Sequence, residues 1–147
     1  MRCYKVSSVG VLAIASLLCT GTLHAEKLGK LFIKAATADV GGQQFADKEL
    51  EESVKDLQRR IGEFILAEDE ADADFLMVVV KRQVELKGHG QQGNKRLYVT
   101  ISVRDGTNWK PGAQLSNGGM LTGGSWGVAA RDVIGAAQKW VKQNRGK

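Results

Sequence analysis

The chain has 147 residues, with 21 Lys and Arg against 16 Asp and Glu, two Cys, two His and one Pro. That is length for one domain, and 43% apolar with 25% charged residues is ordinary for a folded protein. Wholesale disorder, collagen-like repetition and a disulfide-dense scaffold are excluded.

Arg2 and Lys5 open the chain, and no charged side chain follows until Glu26. Between them runs the apolar stretch VGVLAIASLL, residues 9–18. A basic start, a short apolar core and a small residue at a cut site read as a secretory signal peptide. Cleavage is expected after Ala25, with Gly21 as the fallback because Leu23 stands where a small residue is preferred. Cys19 as a lipid anchor is the lesser reading, since Leu18 precedes it in place of a small residue. Retention as an anchor is another, but the core is shorter than the roughly 20 apolar residues that span a bilayer. Removing residues 1–25 removes both Cys (Cys3 and Cys19) and His24. The expected mature domain, 26–147, keeps 122 residues, 19 basic, 16 acidic, no Cys and only His89. It is expected to be periplasmic or secreted, without a stable transmembrane span.

Residues 30–37 read as a first strand, broken by Gly41-Gly42. Asp47 is a helix cap, with Glu49 and Glu51 in the first turn. Leu50, Val54, Leu57, Ile61, Phe64 and Ile65 then form one apolar stripe at 4-3-4-3 spacing, which predicts a helix. Glu51–Lys55 and Asp56–Arg60 are favourable i,i+4 pairs on it. After the acidic stretch 68–74, the run FLMVVV reads as a buried strand reaching about Leu86. Residues 87–94 hold three Gly and read as a hairpin loop. Residues 95–104 alternate: Leu97, Val99, Ile101 and Val103 on one side, Tyr98, Thr100, Ser102 and Arg104 on the other. Asp105-Gly106 is a turn. Pro111-Gly112 is expected to turn the chain, and residues 114–121 to form a frayed edge strand. Ser125 caps a second helix with the stripe Trp126, Ala130, Val133, Ala137, Trp140 and Val141, ending near Asn144. The fold class expected is α+β: a two-layer sandwich of a mainly antiparallel three- to four-stranded sheet with two amphipathic helices on one face, in the order β-α-β-β-(β)-α.

Chemistry is sparse. Without Cys there is no thiolate catalyst or thiolate zinc site, and no metal or cofactor is expected. A Ser-His-acid triad would need His89, which stands between two Gly with nothing to orient it. No catalytic residue is assigned. Glu68, Asp69, Glu70, Asp72 and Asp74 leave a carboxylate-dependent glycan hydrolase as the alternative function. A calcium loop there fails where Phe75 stands in place of the required Gly. The Gly-rich stretch 118–127 has the P-loop glycine spacing but Gly124 where the Lys must be.

Residues 26–75 sum to −6 and residues 76–147 to +9. Lys81, Arg82, Lys87, Lys95, Arg96 and Arg104 gather around the central hairpin and would face anions. Trp109 lies off any stripe beside Lys110, with Tyr98 and Arg104 on the neighbouring polar face. It either presents an aromatic ring to a ligand or packs over an open core edge. The binding residues expected are Lys81, Arg82, Lys95, Arg96, Tyr98, Arg104, Trp109 and Lys110.

The segment ADADFLMVVV, together with Trp126, Ala129-Ala130, Trp140-Val141 and Asn144 of the last helix, resembles small uncharacterised exported bacterial proteins. The element order is loosely similar to small α/β domains of envelope lipoproteins and assembly factors. That resemblance implies a bacterial envelope setting and no chemistry. The expected function is a non-enzymatic binding or accessory domain. Its partner would be an anionic envelope component or envelope protein and not nucleic acid. Pairing through an open sheet edge around residues 113–121 is a further alternative.

Overall fold

The computed structural model describes residues 26–40, 43–85, 93–118 and 124–145. The expected leader, Lys87, His89 and residues 119–123 of the Gly-rich stretch lie outside the described residues. The chain forms β1 (Lys30–Ala35), β2 (Thr37–Val40), β3 (Gln43–Ala46) and α1 (Lys48–Gln58). It continues through β4 (Ile65–Leu66), β5 (Phe75–Glu85), β6 (Asn94–Asp105), β7 (Asn108–Ser116) and α2 (Trp126–Asn144). Five strands make one sheet in the order β4-β1-β5-β6-β7, and β2 with β3 forms a separate antiparallel hairpin. Among the described residues, no helix is long and apolar enough to cross a membrane.

The α+β class holds, and the finer architecture is corrected. The sheet is mixed. β1 runs parallel to both β4 and β5, while β5, β6 and β7 form an antiparallel meander. Parallel neighbours need a crossover, which the segment carrying α1 supplies. Residues facing the helices alternate along each strand and meet in register. Met77 lies between Ile33 and Ile101, and Val79 opposite Val99. Leu57 from α1 and Ala130, Val133, Ala137 and Val141 from α2 close this core. Met77, fully buried, contributes about 1.5–3 kcal/mol through burial alone.

The first helix ends seven residues earlier than its stripe. Arg59 caps it, and Gly62 then takes φ 64°, a left-handed conformation that ends helical geometry. Phe64 is nevertheless buried, edge-on to Phe75 with centroids 5.8 Å apart, because the chain turns back under the sheet. Ile65 leaves the core, joins β4 and is exposed. The edge strand also differs from expectation. It spans Asn108–Ser116, and Pro111-Gly112 lies inside it as a bulge, not as a turn. Glycine is required there: a Cβ on Gly112 would stand 2.6 Å from both the Ile101 carbonyl oxygen and the Trp140 ring.

Candidate functional site

The acidic segment is the first surprise in the site. Its 3-10 turn, Glu70–Asp72, folds back across the sheet face opposite the helices. Glu70 accepts from Lys34 Nζ on β1 at 2.7 Å and from Trp109 Nε1 on β7 at 3.0 Å, so its carboxylate lies across the strands between. Lys30 Nζ pairs with Asp72, and the Lys30 backbone N–H donates to Asp74 Oδ2 at 2.8 Å. Arg104 donates to the Ala73 and Glu70 carbonyls, and its guanidinium lies 4.2 Å from the Trp109 ring centroid. The hydrogen bond from Lys34 holds the Glu70 carboxyl below the usual carboxylate range, with Trp109 and Arg104 acting in the same direction. The bond to Asp72 holds Lys30 above the usual lysine value. Trp109 is therefore half-buried and engaged on both its ring face and its N–H.

The far end of the β5–β6 arm differs. A bulge between Val79 and Lys81 resets the alternation, so the residues beyond Val80 exchange faces. Lys81 pairs with Tyr98 on the face away from the helices, its ammonium 5.7 Å from the ring centroid. Arg96 bonds Glu85 at 2.9 Å. Arg82 turns to the helix side. Its guanidinium stacks 3.9 Å from the Trp126 centroid, donates to the Glu49 carbonyl at 2.8 Å and reaches Glu52 at 3.3 Å. Lys95 lies over the same Trp126 ring at 5.6 Å. Among the described residues, neither Lys81 nor Lys95 meets a carboxylate. The Arg60 guanidinium lies against Gly127, where a Cβ would come within 2.4 Å of it. The first turn of α2 carries no acidic residue, although acids there would suit the helix dipole.

The eight expected binding residues thus fall into three places. Arg104 and Trp109 belong to the neutralised base of the arm. Lys81, Arg96 and Tyr98 lie on one face of its far end, and Arg82 and Lys95 on the other. Lys110 lines a cleft of about 310 Å³ with Val103, Gly112 and Trp140. Sequence reasoning missed Trp126 as a platform for cations, placing it in the core; it is half-buried and does pack against the core. It also missed Asn117, which accepts from the Leu97 N–H and donates to the Lys95 carbonyl, both at 2.8 Å. Among the described residues, no three His, Cys, Asp or Glu converge as a metal site. Comparison of the chain with family models, curated proteins and solved structures returned no match.

Proposed function

We propose that the protein is an exported, non-enzymatic binding or accessory domain of the bacterial envelope that holds an anionic component at the far end of the β5–β6 arm. One observation carries the reading. Lys30 and Lys34 on the neighbouring strand β1 are paired with Asp72 and Glu70, whereas Lys81 and Lys95 on the arm rest on aromatic rings and keep their charge available. A ring holds an ammonium in place without cancelling it, so an incoming anion meets a positioned charge at small ordering cost. The glycan-hydrolase alternative draws less support. Glu70 sits below the usual carboxylate range, opposite to the raised value a general acid needs.

The test uses envelope fractions and the full chain. An exposed lysine near an anionic surface contributes about 1 kcal/mol, so Lys81→Gln with Lys95→Gln should weaken capture about 30-fold. Raising salt from about 0.05 to 0.5 M should weaken the wild type similarly. Undiminished capture by the double variant would remove the basis for this reading.

A further inference from the structure

The β7 bulge and the last turns of α2 build a cleft that the anion-binding arm does not use. Pro111, the chain's one proline, opposes Ser102, and Ala113 opposes Ile101, so Gly112 is the extra residue between them. Trp140 and Asn144, one helical turn apart on α2, form the other wall. Val103 and Lys110, paired across β6 and β7, complete a cleft of about 310 Å³. Its shape depends on one missing side chain. A Cβ on Gly112 would stand 2.6 Å from Trp140 Cη2 and 2.9 Å from Cζ2, so glycine leaves that edge of the indole uncovered.

Three polar groups around the ring have no protein partner among the described residues. They are the Lys110 ammonium, the Trp140 Nε1–H and the Asn144 Oδ1, while the Asn144 amide nitrogen donates to the Trp140 carbonyl. Two of the three donate and one accepts. We infer that the cleft binds one uncharged pyranose unit of a glycan. The C–H side of the sugar packs against the indole, and its hydroxyls, which both donate and accept, answer all three polar groups. The volume stands at the small end of ligand clefts, about 300–1,000 Å³, and suits one ring. Two other occupants fit less well. An alkyl or aryl group would cover the three polar groups without bonding to them. An anion would meet Lys110 but also the negative C-terminal end of α2, whose last residue is Asn144. No carboxylate lines the cleft, so it holds a sugar without the paired acids that hydrolysis needs. The inference is independent of the anion-binding arm.

The probes are the methyl glycosides of glucose, galactose and N-acetylglucosamine, added to the ¹⁵N-labelled full chain. Each is titrated to about 0.1 M, because a ligand of about a dozen heavy atoms reaches roughly millimolar affinity. Expected with at least one glycoside is a saturating shift of the Trp140 indole N–H resonance. The Trp109 indole, bonded to Glu70, should stay in place. Lys110→Ala and Asn144→Ala, both at exposed positions, should each weaken binding about fivefold, the worth of one hydrogen bond. Four outcomes overturn the inference: no movement of the Trp140 resonance with any glycoside; a response unchanged in both variants; an equal response to cyclohexanol, which would make the cleft an apolar slot; or an equal response to sodium acetate, which would make it an anion site.

Discussion

Asn117 is the side chain by which β7 remains attached to β6 after the ladder ends. The last paired residues are Tyr98 and Ser116. One residue further on, the Asn117 amide takes over the role of a peptide group, accepting from Leu97 N–H and donating to the Lys95 carbonyl. Asn117 is 3% exposed and Leu97 1%, so water cannot replace the first bond without a rearrangement. Asn117→Ala leaves a buried N–H unsatisfied, at about 1–3 kcal/mol, and loses a second, less buried bond worth about 1 kcal/mol. The sum is about 2–4 kcal/mol, a large share of the 5–15 kcal/mol typical of a domain. Urea unfolding followed by tryptophan fluorescence measures it as a lower midpoint at unchanged slope. Asn117→Asp is the control. It keeps an acceptor for Leu97 but sets a carboxylate against the Lys95 carbonyl, so it should lose at least as much near neutral pH and recover in acid as the carboxyl regains a proton. An Asn117→Ala protein within about 0.5 kcal/mol of wild type would refute the bridging role, since that is the scatter of ordinary surface substitutions.

Other substitutions test separate parts of the fold. Gly112→Ala drives a methyl against the Ile101 carbonyl and the Trp140 ring, and should cost about 1–3 kcal/mol in thermal unfolding; a neutral result would mean the bulge can open. Met77→Ala empties the centre of the sheet and should cost about 2–5 kcal/mol by chemical unfolding. Glu70→Gln should change the acid limb of the stability curve. The folded-state carboxyl sits below its ordinary value of 4.5, so its stabilisation is complete above that value and disappears as pH falls through the depressed one. Wild type should therefore exceed Glu70→Gln at neutral pH and converge with it in acid. Partial exposure of Glu70 should keep the gap under about 1 kcal/mol. A gap independent of pH would point to packing rather than charge.

What the sequence revealed depended on whether a residue's environment is local. β6 was legible because one of its faces is buried, which imposes strict alternation from Leu97 to Val103. The α2 stripe was legible for the same reason at helical period. β2 and β3 were not, since Gln43–Ala46 is exposed throughout and nothing forces a pattern on it. Gly41-Gly42, a recognised two-residue hairpin signal, was the one available clue. β4 was hidden because Ile61, Phe64 and Ile65 continue the helical spacing by coincidence, and only Gly62 marks the break.

The candidate site shows the same division more sharply. Of the expected cluster, Lys81, Arg82, Lys95, Arg96 and Arg104 lie on the two paired strands β5 and β6, because a hairpin brings its strands together whatever else happens, and Lys87 lies outside the described residues. The sequence did not sort them by face, because the bulge at Val80 leaves no mark in residue type and exchanges every position beyond it. Nor did it find what neutralises the base of the arm. Glu70 and Trp109 are 39 residues apart, and only the return of the acidic turn over the sheet joins them. The turn pairs with Lys30 and Lys34 of its own half, while Arg82–Glu52, Lys142–Glu63 and Arg145–Glu26 join the two halves elsewhere. On the far arm, Lys81 and Lys95 stand clear of the acidic turn, which lies at the opposite end of β5. Moving acidic groups onto the arm should thus reproduce the neutralisation seen at its base. Gln83→Glu, directly opposite Arg96 and on the same face as Lys81, should weaken envelope capture about as much as losing one lysine, while leaving the core strands intact.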